Sequence, residues 1–149
     1  MAKALSLEVQ EIINVLNKMA YDYGVEINKK TILKRAGKIT LQKLRSNAPV
    51  LEGHLRDSMA FLNFRKDKNG VYVGPRYHAA TNSEGERKNA IAPHAHMVEY
   101  GFIDRSGKKV EGKPFIKQTY DQTKAQVLSN LEKEVVKFQR SLEKKYGKA

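Results

Sequence analysis

His94, His96 and Glu99 fall within the eight residues HAHMVEYG, and imidazoles with a carboxylate are a donor set that zinc accepts. The composition of HAHMVEYGF predicts a strand over about 95–102. Successive side chains of a strand alternate between its faces. His94, His96, Val98 and Tyr100 then point one way, and Ala95, Met97 and Glu99 the other. The pleat separates the glutamate from the histidine pair. A zinc ion would need a third ligand from His54, His78 or Asp104, and a catalytic one an open position for water as well. The expectation is that the chain holds neither metal nor cofactor.

A second group, Asp104 with Glu111 and Lys113 in DRSGKKVEGK, echoes the acidic pair and lysine that hold a divalent ion beside a scissile phosphate. It falls in a glycine-containing connection, where rigid support for a metal is lacking. The chain has no G-x-x-x-x-G-K-[ST] phosphate loop, no G-x-S-x-G elbow and no G-x-G-x-x-G, so nucleotide and serine hydrolysis have no foothold. A third group is purely basic. Between residues 29 and 46 stand Lys29, Lys30, Lys34, Arg35, Lys38, Lys43 and Arg45, with no acidic residue among them. Arg35, Lys38, Lys43 and Arg45 are candidates for non-specific contact with phosphates; the alternative is a solvated face with acidic partners on another element or subunit. No aromatic residues are interleaved to stack on bases.

These groups sit in a chain of 149 residues with a net charge of +12, long enough for one ordinary domain. The charge is +5 over residues 1–50, +1 over 51–100 and +6 over 101–149, so the ends are basic and the middle nearly neutral. Such an excess favours polyanions without specifying a sequence. There is no cysteine, which excludes disulfides, thiolate metal sites and thiol nucleophiles. No apolar run approaches the roughly 20 residues of a membrane span, and MAKALSLEVQ lacks the apolar core of a signal peptide. Synthesis in the cytoplasm with no membrane partner is the expectation.

Leu5, Val9, Ile12, Leu16, Met19 and Tyr23 line one face of a helix over about 5–23. A second helix is predicted over about 29–46, before Pro49. SMAFLNFRK and VYVGPRY, joined through an Asn-Gly turn, predict a β-hairpin with strands over about 58–66 and 71–77. Residues 79–90 read as a long polar loop. Leu128, Leu131, Val135, Phe138 and Leu142 repeat at helical spacing within a segment free of Gly and Pro, predicting a helix over about 115–146. One α+β domain follows, an antiparallel sheet with a hairpin packed against N-terminal helices and a long C-terminal helix.

Three stretches in order, NAPVLEGHLRDSM (47–59), VYVGP (71–75) with HMVEYG (96–101), and KPFIKQTYD (113–121), resemble the small tail-component proteins of long-tailed bacteriophages, also described as tail-completion or neck proteins. The shared residues are Ala48, Pro49, Val50, Gly53, Leu55, Arg56 and Ser58; Val73, Gly74 and Pro75; Val98, Glu99, Tyr100 and Gly101; and Pro114 and Phe115. The chain has Leu51-Glu52 where the family has Asp-Thr, Phe102 where it has Thr, and Gln118-Thr119 where it has Pro-Ala.

The resemblance implies a structural part of the virion and not an enzyme. Copies would form a ring, commonly sixfold, at the neck or head-proximal tail end, around the channel that DNA traverses. A ring needs two different surfaces of one chain to meet, and SEGE in the long loop is a candidate to meet the basic helix of the next copy. The partners implied are further copies, neighbouring neck and tail proteins and, non-specifically, DNA. Arg56 and Glu99, charges set among apolar neighbours, are expected to be buried or interfacial polar anchors, with Gly101 and Phe115 as fold or assembly anchors. The competing class is a basic nucleic-acid-binding protein or a metal-dependent nuclease.

Overall fold

The computed structural model describes residues 2–24, 26, 28–50, 53–63, 70–77 and 91–147, with the side chains of residues 2–9 excepted. Helix α1 (Ala2–Tyr23) ends where Gly24 takes a positive φ of 60°. Helix α2 (Lys29–Ala36) starts from Asn28, whose side chain accepts a hydrogen bond from Thr31 N at 3.2 Å and satisfies one of the donors that a helix start leaves open. The expected helix over 29–46 is in fact two, because the chain breaks at Gly37 before α3 (Lys38–Asn47). Gly37 lies against Phe61, and a Cβ on it would stand 3.4 Å from that ring and 3.2 Å from Leu33 O.

Beyond Pro49 comes the short helix α4 (His54–Ser58), entered through Gly53 at φ 82° and absent from the sequence expectation. Its last residue, Ser58, is buried and donates to Leu55 O at 2.6 Å. Strands β1 (Met59–Leu62) and β2 (Tyr72–Pro75) pair antiparallel, with Met59 opposite Pro75 and Leu62 opposite Tyr72. The expected hairpin is present with shorter strands; Asn69 of its turn lies outside the described residues, as does the loop at 79–90 with SEGE.

The strand expected over 95–102 is instead helix α5 (Ala95–Tyr100) followed by β3 (Gly101–Ile103). Strand β3 pairs antiparallel with β4 (Lys109–Glu111) as a second hairpin, so the strands form two separate two-stranded sheets among the described residues. Helix α6 (Phe115–Tyr146) closes the fold and packs along α3, α2 and α1. The class is α+β.

Two apolar clusters hold these elements. Leu16 of α1, Ile32 and Ala36 of α2, and Leu131 and Val135 of α6 form one, and the periodic stripes of the two long helices meet there. Leu44, Leu55, Met59, Ala95 and Phe115 are central to the other, which joins α3, α4, β1, α5 and the first turn of α6. Burying a side chain of this size contributes about 1.5–3 kcal/mol. Between the clusters the α3–α6 contact is polar. Thr40 Oγ1 donates to Thr123 Oγ1 at 3.1 Å, and Asn47 Nδ2 donates to Thr119 Oγ1 at 2.9 Å and to Gln122 Oε1 at 3.0 Å. Thr119 and Thr123 are buried and bond back to Phe115 O and Thr119 O, the local partners a buried helical threonine needs.

Candidate functional site

Outside that seam stands Glu99, a buried carboxylate. In α5 the inward positions are Ala95, Val98 and Glu99, spaced three and four apart as one face of a helix requires. Glu99 is only 5% exposed. Its Oε2 accepts from Ile116 N at 2.8 Å and its Oε1 from Lys117 N at 3.0 Å. A helix start leaves its first N–H groups without intrahelical partners and carries partial positive charge. Pro114, at the cap position of α6, provides no side-chain bond, so a carboxylate from a distant stretch of sequence does what a local Ser or Asp would do. Lys113 N donates to Val98 O at 2.7 Å beside it, tying the two segments a second time.

Gly101 makes the turn out of α5 possible. Its φ of 81° and ψ of 175° belong to a region that glycine alone occupies readily. A Cβ there would stand 2.5 Å from Val110 O and 2.7 Å from Gly112 N, and one on Gly112 would stand 2.5 Å from Gly101 N. The two glycines let β3 and β4 close at their root. Phe115, buried in the cluster below, completes the junction. Glu99, Gly101 and Phe115 therefore converge on one place. Arg56 does not join them: it is exposed on α4, with Nε 3.3 Å from Oδ1 of its neighbour Asp57, so the structure does not bury it.

With residues 95–100 helical, the alternation that separated Glu99 from the histidines does not apply; Glu99 faces inward, while His94 and His96 are exposed. Glu99 is held by two amides. His96 Nδ1 lies 3.0 Å from Pro93 O, a contact that needs a proton on Nδ1 because a carbonyl only accepts. His94 lines an open cavity of about 310 Å³ with His54, Lys113, Val50 and Val98. His78 lies outside the described residues. Among the described residues no three His, Asp or Glu side chains gather as a cation site.

Asp104 organises its own turn. Its Oδ1 accepts from Ser106 Oγ at 2.6 Å, and from Ser106 N and Lys108 N at 2.9 Å each. The Ser106 hydroxyl first, and the Lys108 amide next, hold its carboxyl below the ordinary value of 3.8. Glu111 pairs with Lys109 at 3.0 Å. Both carboxylates thus serve the second hairpin. Of the basic candidates, Arg35 lies 3.8 Å from Glu134 of α6, which Lys137 also approaches at 2.8 Å. Arg45 donates to Met59 O at 3.0 Å and so braces α3 against β1. Lys38 and Lys43 are exposed and have no partner among the described residues.

The motif residues at 47–59, 71–75 and 96–101 thus pack around α4, β2 and α5, and a protein-family model matches the chain over just this part and the helices before it. The family is described as "Bacteriophage HK97-gp10, putative tail-component", and the match covers residues 10–101. The chain belongs to this family of phage tail components. No curated protein and no solved structure matches it. The matched part of this tail component ends at Gly101, at the root of β3, so the second hairpin and α6 lie beyond it. Among the described residues no helix is long and apolar enough to cross a membrane. A tail component is a structural part of the virion. Sequence reasoning missed Gly112 and Asn47; the first had a signal in the Glu-Gly-Lys at the end of β4, the second had none.

Proposed function

We propose that this tail component is a tail-completion or head–tail connector protein. Its copies form a ring at the neck or the head-proximal end of the tail, in contact with neighbouring neck and tail proteins, and it catalyses no reaction. The observation that carries the reading is the family match over residues 10–101, which contains the motif residues at 47–59, 71–75 and 96–101 in order. Glu99, Gly101 and Phe115 act in it as fold anchors that fix the start of α6, and Arg56 as an exposed assembly contact. Disrupting the gene in the phage tests this: full heads and finished tails accumulate unjoined, or tails of irregular length appear, in electron micrographs. Joined, infectious particles lacking the protein would refute it.

Exposed Lys38 and Lys43 supply non-specific contact with the DNA that passes through the ring. Removing one phosphate-binding cation lowers the slope of log affinity against log salt by about 1. Replacing both lysines by glutamate therefore flattens that slope by about 2 in a DNA-retention titration, and an unchanged slope removes DNA from the set of partners.

A further inference from the structure

The β3–β4 hairpin is an arm with apolar flanks and a basic tip. Ile103 is 72% exposed and Phe102, opposite Val110, is 41% exposed, although apolar side chains of this size are stabilised by burial. The tip, residues 104–109, carries Arg105, Lys108 and Lys109 against Asp104; Lys109 is paired with Glu111 at 3.0 Å, so Arg105 and Lys108 are the charges it offers a partner. Its turn is stiffened by the three bonds to Asp104 and its root by the close approach of Gly101 and Gly112. Elsewhere on the molecule α1 and α6 leave a groove of about 320 Å³ between Ile12, Val15, Val135 and Val136, with Glu11 and Glu132 on its rim. Val15 and Val136 are each 46% exposed. The groove is apolar with an acidic border, the complement of the arm in both respects.

One chain cannot bring the two together. Glu99 fixes the root of the arm at Ile116 and Lys117, and at 1.5 Å per residue the groove at Glu132 lies roughly 25 Å further along α6. From Gly101 to Ser106 the arm reaches about 16 Å at most. We infer that the β3–β4 arm docks into the α1–α6 groove of a second copy of this chain, with Ile103 or Phe102 against Val15 and Val136 and the basic tip against Glu11 and Glu132. Arranged head to tail, this contact between two different surfaces propagates from copy to copy and closes as a ring, whereas two copies that exchanged arms reciprocally would stop at a pair. It supplies the subunit contact of the ring proposed above, and rests on that reading only for closure.

The chain has no cysteine of its own, which makes the test direct. The full-length chain carrying both Ile103→Cys and Val136→Cys is treated with a short bis-maleimide, as concentrated purified protein and in assembled tails. A ladder of linked chains is expected from the double variant and none from either single variant. Mixing the two single variants should give one linked pair and nothing larger. Ile103→Asp should weaken self-association at least about tenfold in sedimentation, with an unchanged melting curve as proof of folding. Absence of a ladder in both settings, or linkage by a single variant, overturns the contact and leaves the tail-component reading intact. A ladder in solution from a chain that never enters tails sustains the contact and sinks the ring at the neck.

Discussion

Glu99→Ala removes two hydrogen bonds from a carboxylate to the first turn of α6, at 2.8 and 3.0 Å. A hydrogen bond to a charged group contributes about 1.5–3 kcal/mol net. The favourable field of the helix start adds roughly 0.3–1 kcal/mol. Burial of the carboxylate costs several kcal/mol in the native state, and the alanine variant is relieved of it, so the two bonds do not count in full. The expected loss is about 2–4 kcal/mol. A domain of this size loses roughly 2–4 °C per kcal/mol, which places the melting midpoint about 4–16 °C lower. Glu99→Gln keeps one acceptor oxygen and turns an amino group towards the other N–H, so it should lose about half as much. Circular dichroism measures the midpoints, and hydrogen exchange at the Ile116 and Lys117 amides reads the bonds themselves. An alanine variant melting within about 2 °C of the parent, with both amides still protected, would refute the assignment of Glu99 as the cap of α6.

Gly101→Ala forces a side chain into a backbone region that costs of order 1–3 kcal/mol, and into Val110 O besides; limited proteolysis should cut residues 102–112 faster, and an unchanged rate would count against the packed root. Because the carboxyl of Asp104 is held below 3.8 in the folded arm, its bonds support the turn above that pH, and the support is lost as pH falls through the lower folded value. An NMR titration should find Asp104 protonating below 3.8, and Ser106→Ala should raise its midpoint; a titration at or above 3.8 contradicts the turn. Arg56→Ala should alter stability by no more than about 0.5 kcal/mol, since an exposed ion pair contributes little, while reducing incorporation into tails. A large fall in melting temperature would show that Arg56 supports the fold instead.

The long helices were legible because their buried residues recur over many turns, as Leu131, Val135 and Leu142 do. Helix α5 was not. It spans six residues, fewer than two turns, so a period of two and one of 3.6 match its letters about equally well. Its inward face includes a buried glutamate, which reads as a solvent position until the amides of α6 are placed beside it. That partnership joins residues 17 and 18 apart and leaves no local trace. Gly37 was overlooked as a break because the apolar spacing continues across it. Glu99 is marked in the chain by its setting among apolar neighbours; Arg56 has a similar setting and is exposed, because it lies on the outer side of the short helix α4.

The hydroxyls and amide between α3 and α6 also bear on mechanics. A slip of α6 along α3 by one helical turn is a shift of 5.4 Å. Here such a slip would part Thr40 from Thr123 and Asn47 from both Thr119 and Gln122 at once, leaving buried oxygens without donors. The polar bonds key the joint, so α6 is held in one axial register against α3.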